Sequence, residues 1–319
     1  MSAGVALIGT GRWGAQIAAA AARAGLRVLA CHSRDEPARQ AFAERVGCTA
    51  AVSAEAAIEH PGVEGVLLVT PNDVHEAHAI AAAERGRHVF VEKPIADTVA
   101  AAERMRDACA RAGVTLAVGH AFRRLGAARR VRELVDAGAL GQVVLAEATF
   151  SLPGSFPPHA WRADPERNAG GPLMQLGIHH VDTLASWLGP IARAEGRFAH
   201  VATEAEIDDV GVVTLTFASG ALGVVTGSYV SPHVFSLRLL GSEGVLDYRA
   251  DLGAVWPDAT RVDEVSTLTL NGSRVEFEPR DMLADELAEF GAAMRGDAVV
   301  ETGADEGIAA LRVVLEAVG

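Results

Sequence analysis

The stretch "VALIGTGRWGAQIAAAAARAG", Val5–Gly25, decides the fold. A short apolar run ends at Gly9, and an alanine-rich helical pattern follows and stops at Gly25. Between them Gly9, Gly11 and Gly14 have the G-x-G-x-x-G spacing. In this strand–turn–helix context each glycine has a physical task. Gly9 permits the tight turn, Gly11 lets a pyrophosphate approach the backbone, and Gly14 lets helix and strand pack closely. The helix N-terminus adds unpaired N–H groups and the positive end of a dipole. The spacing alone fits a plain tight turn; its place after a strand and before a helix predicts a dinucleotide site. Arg12 and Trp13 sit in the loop, placed to cover the phosphates.

The alternation continues. Leu26–Cys31, Val63–Thr70, His88–Glu92 and Val114–His120 read as strands, and Pro37–Gly47, Asp73–Gly86 and Asp97–Gly113 as helices. Uninterrupted apolar strands separated by helices indicate a parallel sheet covered on both faces. Beyond Leu140 longer alternating segments with glycine turns read as antiparallel strands, with Ser219–Leu222 as a hairpin turn. One helix, Gly171–Gly189, interrupts them, and the chain returns to helix at its end. The expected division is a dinucleotide domain over 1–121 and a substrate and oligomerisation domain over 122–319. The C-terminal helix is free to pack back on the first domain.

A length of 319 residues suits two domains, and 50% hydrophobic residues supply a large core. With 41 acidic and 28 basic residues the net charge is −13, which argues against a nucleic-acid or anionic-membrane partner. The one basic cluster, Phe122–Glu133, is spaced like the solvated face of a helix. Cys31, Cys48 and Cys109 lie apart without metal spacing, which fits a reducing compartment. His75 and His78 have no evident partner ligands, and the adjacent His179 and His180 diverge around a helix, so no metal site is expected. No leader pattern and no apolar run of about 18 residues stands out. The expectation is a soluble, cytoplasmic protein.

The end of the second strand bears on the choice between NAD and NADP. There the chain reads "CHSRDEP", with Ser33 and Arg34 ahead of Asp35. A hydroxyl and a guanidinium suit a 2′-phosphate, which favours NADP. A shift of one residue would instead put Asp35 on the ribose, as in NAD binders. Asp35 also fits as a cap on the following helix.

"VFVEKPIADT", Val89–Thr98, ends an apolar strand on Glu92, Lys93 and Pro94. Ligands in doubly wound sheets bind beyond the C-terminal ends of the strands, so these residues fall at the rim where chemistry occurs. A rim salt bridge with a turn proline accounts for them without chemistry. The neighbouring stretches favour function. "TPNDVHEAHAIAAAERGRHVFVEKPIADT" resembles the glucose–fructose oxidoreductase / inositol dehydrogenase family (Gfo/Idh/MocA), with Thr70, Pro71, Asn72 and His75 matching one motif and Glu92, Lys93 and Pro94 another. "VGHAFRR", "LVDAGALGQVV", "WRADPERNAGGPLMQLGIHHVDTL" and "LLGSEGVLDY" are similar to later family segments in the same order. The likeness covers nearly the whole chain. It implies an α/β protein: an N-terminal Rossmann doubly wound parallel sheet plus a C-terminal α/β domain with a large, mostly antiparallel open sheet. It also implies a cofactor groove lined by Gly9, Gly11, Gly14, Pro71, Asn72, His75, Glu92 and Lys93, a cis Lys93–Pro94 bond, and Lys93 as the catalytic or substrate-orienting lysine.

The family's histidine helix matches at Gln175, His179 and Asp182, which helical spacing puts on one face, with His180 pointing elsewhere. His179 is the natural general base. Lys93 is expected to hold the reacting oxygen, and Asp182 to orient the imidazole. A packed interdomain histidine is the plainer account of His179. Gln175 stands where many family dehydrogenases have aspartate; it binds a hydroxyl but accepts no proton at neutral pH. Arg123 at the junction, and Trp161 with Arg162 in the proline-rich loop Ser151–Gly171, are candidates for substrate contact.

The reading is an NAD(P)-dependent dehydrogenase or reductase acting on a secondary alcohol or ketone of a sugar, inositol or related polyol. A dinucleotide sensor without turnover, and a redox-neutral hydrolase or epimerase using NAD, remain open alternatives. An open sheet with an apolar face leads us to expect a homodimer or homotetramer through the second domain.

Overall fold

The computed structural model describes residues 3–154, 160–256 and 258–319. The chain divides into two compact units, Met1–His120 with Leu283–Ile308, and Ala121–Met282 with Ala309–Gly319.

In the first unit, β1 (Ala3–Ile8), α1 (Arg12–Arg23), β2 (Leu26–His32), α2 (Glu36–Val46), β3 (Thr49–Ala50), α3 (Ala54–Ile58), β4 (Val63–Leu68), α4 (His75–Glu84), β5 (His88–Glu92), α5 (Val99–Ala112) and β6 (Leu116–Gly119) alternate along the chain. The strands form one parallel sheet in the order β3-β2-β1-β4-β5-β6. All six residues of β1 and all four of β6 are buried, as a sheet covered on both faces requires. The order reverses direction between β1 and β4, so a crevice opens beyond their C-terminal ends, where Gly9 and Thr70 lie.

The helices start and stop on local chemistry. Asp35, Ser53 and Thr98 accept the first-turn amides of α2, α3 and α5 through their side chains, and glycines at 47 and 113 close α2 and α5 in left-handed conformation. Part of the chain's far end completes this unit. Phe290 stacks 5.9 Å from Phe90, and Gly65 leaves β4 bare where a Cβ would meet Met294 Sδ at 2.5 Å. Val118 and Thr302 exchange bonds: Val118 N donates to Thr302 O at 2.8 Å, and the Thr302 hydroxyl donates to Val118 O at 2.7 Å.

The second unit holds α6 (Gly126–Asp136), β7 (Val143–Ser151), α7 (Ile178–Leu188), β8 (Ile191–Ala199), β9 (Val210–Phe217), β10 (Leu222–Ser228), β11 (Val234–Gly241), β12 (Val245–Ala250), α8 (Leu252–Val255), β13 (Ser266–Leu270) and β14 (Ser273–Arg274). Helices α9 (Met282–Met294) and α10 (Ala304–Val318) follow, and the division between the units falls inside α10. The eight strands run β14-β13-β12-β11-β7-β10-β9-β8, antiparallel except for β7 beside β10. Ser219 and Gly220 lie in the expected turn between β9 and β10, with Gly220 at φ +87°.

Strand alternation sorts the two faces of this sheet. Ala146, Ala148 and Phe150 of β7, Phe235, Leu237 and Leu239 of β11, and Leu246 and Tyr248 of β12 are buried on one face. On the other, Val212, Leu222 and Val234 are exposed, and Thr149 and Thr226 share a hydroxyl bond of 2.8 Å. Asp263 anchors α6 against this unit, accepting amides from Gly126 at 2.6 Å, Ala127 at 3.3 Å and Arg280 at 3.0 Å.

The helix expected over Gly171–Gly189 is not continuous. Leu173–Gly177 form a wider π-turn, and regular helix begins only at Ile178. Gly177 has no Cβ to meet Leu173 Cδ1, which would lie 2.7 Å away. The expected helical spacing of Gln175 and His179 therefore runs through a π-turn rather than a regular α-turn.

Phe235 lies at 3% exposure between Phe150 at 5.4 Å and Tyr248 at 5.5 Å. Replacing it with alanine is expected to cost about 3–5 kcal/mol of stability, read as a lowered denaturant midpoint at unchanged slope.

Candidate active site

In the first unit three turns at the sheet rim carry the candidate residues. Gly9 follows β1 with φ +107°, and a Cβ there would meet Val69 O at 2.2 Å. At Gly14 a Cβ would meet Gly9 O at 2.0 Å. Around Gly11 nothing lies within 4 Å of a Cβ position, so the turn leaves an open cradle over its backbone. Gly11 is the N-cap of α1, and no side chain caps that helix. A helix N-terminus without a side-chain cap, beside the open space at Gly11, suits a pyrophosphate, so the residues present fit a bound dinucleotide.

The second and third turns are tied together by buried ionisable groups. Thr70 and Pro71 follow β4, Asn72 is buried, and His75 opens α4. One ring nitrogen of His75, Nε2, lies 3.0 Å from Thr70 O, and the other lies 3.2 Å from both Pro94 O and Ile95 O. Burial pushes its pKa down to about 4, against the pull of those carbonyls. Glu92 is also buried, and its carboxylate accepts from the Trp13 indole and from Lys93 N at 3.3 Å. Burial raises its pKa, and the two donors oppose that rise. Gly119 leaves room for this carboxyl, whose atoms lie 3.1–3.2 Å from where a Cβ would stand. The Lys93–Pro94 bond is cis, as the resemblance implied.

At the end of β2, Ser33 Oγ lies 2.6 Å from Thr10 Oγ1, so the turn after β2 touches the glycine loop. Arg34 follows on the same turn. Asp35 Oδ1 accepts from Ala38 N at 2.9 Å, so this acid is the cap of α2, one of the two roles the sequence allowed.

The second unit contributes a different group of residues. Phe122 and Arg123 lie in a 3-10 turn over Ala121–Arg124. Arg123 Nε and Nη2 donate to both oxygens of Asp182 at 2.7 and 2.6 Å, a two-pronged pair whose carboxylate is 2% exposed. Charge-assisted bonds in that geometry offset much of the desolvation of both ions. His179 stacks on Phe122 at 4.3 Å and approaches Phe150 at 6.0 Å. His180 lies 4.9 Å from Phe235 and 5.8 Å from Phe150. Phe150 and Phe235 are register partners on β7 and β11, so the sheet sets both rings under the histidine pair.

Gln175 Nε2 donates to Asn168 Oδ1 at 3.1 Å, and Asn168 Nδ2 donates to Arg162 O at 2.9 Å. The Tyr229 hydroxyl donates to Gly171 O at 3.0 Å. Gly171 sits at φ +47°, where a Cβ would meet Asp208 O at 2.1 Å, which explains the glycine pair before the helix. Trp161 and Arg162 form a short 3-10 turn, with the guanidinium 4.4 Å over the indole ring. Residues 155–159 of the proline-rich loop lie outside the described residues. Among the described residues no three metal-ligating side chains cluster, and no helix is long and apolar enough to cross a membrane.

Each unit thus brings its own candidates together. Gly9, Gly11, Arg12, Trp13, Gly14, Ser33, Arg34, Thr70, Pro71, Asn72, His75, Glu92 and Lys93 belong to the first; Arg123, Trp161, Arg162, Gln175, His179 and Asp182 belong to the second. Sequence reasoning passed over Phe122, Phe150 and Asn168. Phe122 directly precedes Arg123, but ring stacking across a turn has no spacing signature. Asn168 lies seven residues before Gln175, beyond any local helical pairing.

Two family models match the chain: the GFO/IDH/MocA oxidoreductase family, NAD-binding Rossmann fold, over residues 3–120, and the GFO/IDH/MocA C-terminal domain over 128–247. Among curated relatives, D-xylose 1-dehydrogenase (NADP(+)) 2 of Haloferax volcanii is 30% identical over 289 residues, covering 88% of this chain and 86% of its own. The 1,5-anhydro-D-fructose reductase of Ensifer adhaerens is 26% identical over 275 residues, covering 83% and 80%. Among solved structures, a candidate NADPH-dependent oxidoreductase from Desulfitobacterium hafniense superposes with TM-score 0.94 at 34% identity, covering 100% of this chain and 95% of the other.

The buried histidines make stability depend on pH. His180 has its pKa lowered to about 4 by burial, against an ordinary 6.5. The unfolded chain takes up the proton first, so this contribution is complete above pH 6.5 and is lost as pH falls toward 4. It amounts to about 3 kcal/mol. Replacing His180 with phenylalanine is expected to flatten the fall in denaturant midpoint between pH 7 and pH 5, with the slope against pH as the readout.

Proposed function

We propose, for a chain that belongs to the GFO/IDH/MocA oxidoreductase family, that it is an NAD(P)-dependent dehydrogenase or reductase of a sugar or related polyol. The observation that carries the reading is the rim of the first sheet. An open glycine cradle at the β1–β4 switch point shares a network with the turn bearing Lys93. The sugar assignment draws on the relatives, which are named for D-xylose and 1,5-anhydro-D-fructose.

A bound nicotinamide dinucleotide supplies the hydride acceptor or donor. The chain's own residues do the rest. Backbone amides at Gly11–Trp13 bind the pyrophosphate, and the buried Glu92 and His75 hold the Lys93 turn in one geometry. Lys93 binds the reacting oxygen and stabilises negative charge growing on it. His179 accepts the hydroxyl proton in the oxidative direction and returns it in the reductive one. Gln175 binds a second substrate hydroxyl, and Asp182 fixes Arg123 on the substrate side. Trp161 and Arg162 line the same side.

NADP is the favoured coenzyme. Asp35 is engaged as a helix cap, which leaves Ser33 and Arg34 to meet a 2′-phosphate. The working compartment is the cytoplasm.

A cofactor-coupled absorbance screen of sugars and polyols with NAD and NADP tests this reading. Lys93→Met is expected to lower kcat by about a thousandfold while dinucleotide binding stays within about twofold. Arg34→Ala is expected to raise the KM for NADP about tenfold and leave NAD nearly unchanged. Full turnover in the Lys93 variant sinks the assignment of roles.

The exposed Val212, Leu222 and Val234 share one sheet face with half-exposed threonines, and this face is the proposed surface of a homodimer or homotetramer. Sedimentation equilibrium is expected to return a dimer or tetramer mass, and Leu222→Arg a smaller species. A monomer at all concentrations removes the idea.

A further inference from the structure

Helix α2 carries a cation that the strand-end pattern does not single out. Arg39 lies inside α2 rather than on the Ser33–Arg34 turn, yet its side chain runs back to that turn. Its Nη1 donates to Ser33 O at 2.8 Å. The same turn meets the glycine loop, with Ser33 Oγ and Thr10 Oγ1 2.6 Å apart. One guanidinium, the end of β2 and the loop assigned to the pyrophosphate therefore form a single patch.

The charge on Arg39 is buried and has no counter-ion. The residue is 6% exposed, and its Nε is buried without a hydrogen-bond partner among the described residues. Among the described residues Arg39 forms no ion pair. Asp35, at the head of the same helix, accepts from Ala38 N instead, and Glu36 is exposed. A buried guanidinium without an anion is costly, and an anion that reaches it is held strongly. Arg34 differs in this respect: it is exposed, so water and salt screen its charge.

We propose that Arg39 is a specificity-determining residue of the coenzyme site: its guanidinium is the second cation for the 2′-phosphate, beside Arg34, and it discriminates NADP from NAD. The charges match. A phosphomonoester carries about −1.5 to −2 charge at pH 7, more than one screened guanidinium neutralises. Nη1 stays on Ser33 O, which leaves Nε and Nη2 as the fork that meets two phosphate oxygens side by side. Nε is covered in this structure, so binding requires the guanidinium to pivot about its bond to Ser33 O. The 2′-hydroxyl of NAD brings no charge, and Arg39 then stays unmatched. The inference rests on the reading of the first unit as an NADP site.

A bracing role is separable from this one. A guanidinium that only holds Ser33 in place supports NAD and NADP alike, because both present the same pyrophosphate and adenosine ribose to the turn. A guanidinium that meets the 2′-phosphate separates them.

The test titrates NADPH and NADH into the full-length protein and its variants by fluorescence. The parent is expected to bind NADPH more tightly. Arg39→Met is expected to raise the Kd for NADPH about tenfold, the loss of one charge-assisted interaction, and to leave the Kd for NADH within about twofold. Arg39→Lys keeps the charge without the fork and is expected to give an intermediate ratio. Equal weakening of both dinucleotides in Arg39→Met, or no weakening of either, overturns the proposal and leaves the NADP reading standing. A parent that binds both equally, or neither, overturns the NADP reading and the proposal with it. A crystal structure of the parent with NADP is expected to show the Arg39 guanidinium about 3 Å from a 2′-phosphate oxygen, which decides the matter even where Arg39→Met fails to fold. A phosphate met without Arg39 overturns the proposal.

Discussion

Glu92 is a carboxyl group with almost no access to water, and the rim of the first unit depends on how it is satisfied. Burial of an acid without partners costs several kcal/mol. Here the Trp13 indole and the Lys93 amide meet it. One donor comes from the glycine loop and the other from the lysine turn. The carboxyl therefore fixes the distance between the glycine loop and the turn that bears Lys93. His75 does the same from the other side, with its two nitrogens against carbonyls of the Thr70 turn and of the Pro94–Ile95 segment. Three loops, each soft by itself, become one rigid rim because polar groups buried among them must be paired.

The second unit uses a different device. A sheet with one buried face carries aromatic residues at matched register, and the histidine helix lies over them. The buried Arg123–Asp182 pair pins the start of that unit to the same helix. Rings fix the depth of His179 and His180, and the ion pair fixes rotation of the helix. Gln175 lies in the π-turn ahead of it, and its amide donates to Asn168 Oδ1. Gln175, where the family resemblance implies an acid, has the neutral Asn168 amide among its partners.

The glycine loop was legible because its constraints are local. A positive φ at Gly9 and the bare position at 14 are demanded by the neighbouring strand end and by Gly9 O, and Gly11 leaves the space over the turn open. The caps of α2, α3 and α5 were equally local, and Asp35 could be seen as a cap candidate from spacing alone. The Glu92–Trp13 contact and the His75 bridge were not legible. Each joins residues from different βα units, and no spacing rule relates them.

What the sequence determined by itself was the alternation of strand and helix, the switch to an antiparallel texture beyond Leu140, and the residue types at each strand end. These follow from side-chain period and turn chemistry, which act over a few residues. Only the tertiary structure decided which of those strand ends share one network, that Leu283–Ile308 complete the first unit, and that the histidine helix opens with a π-turn. Such outcomes depend on close packing between segments distant in the chain, where a missing Cβ or a single buried donor sets the geometry.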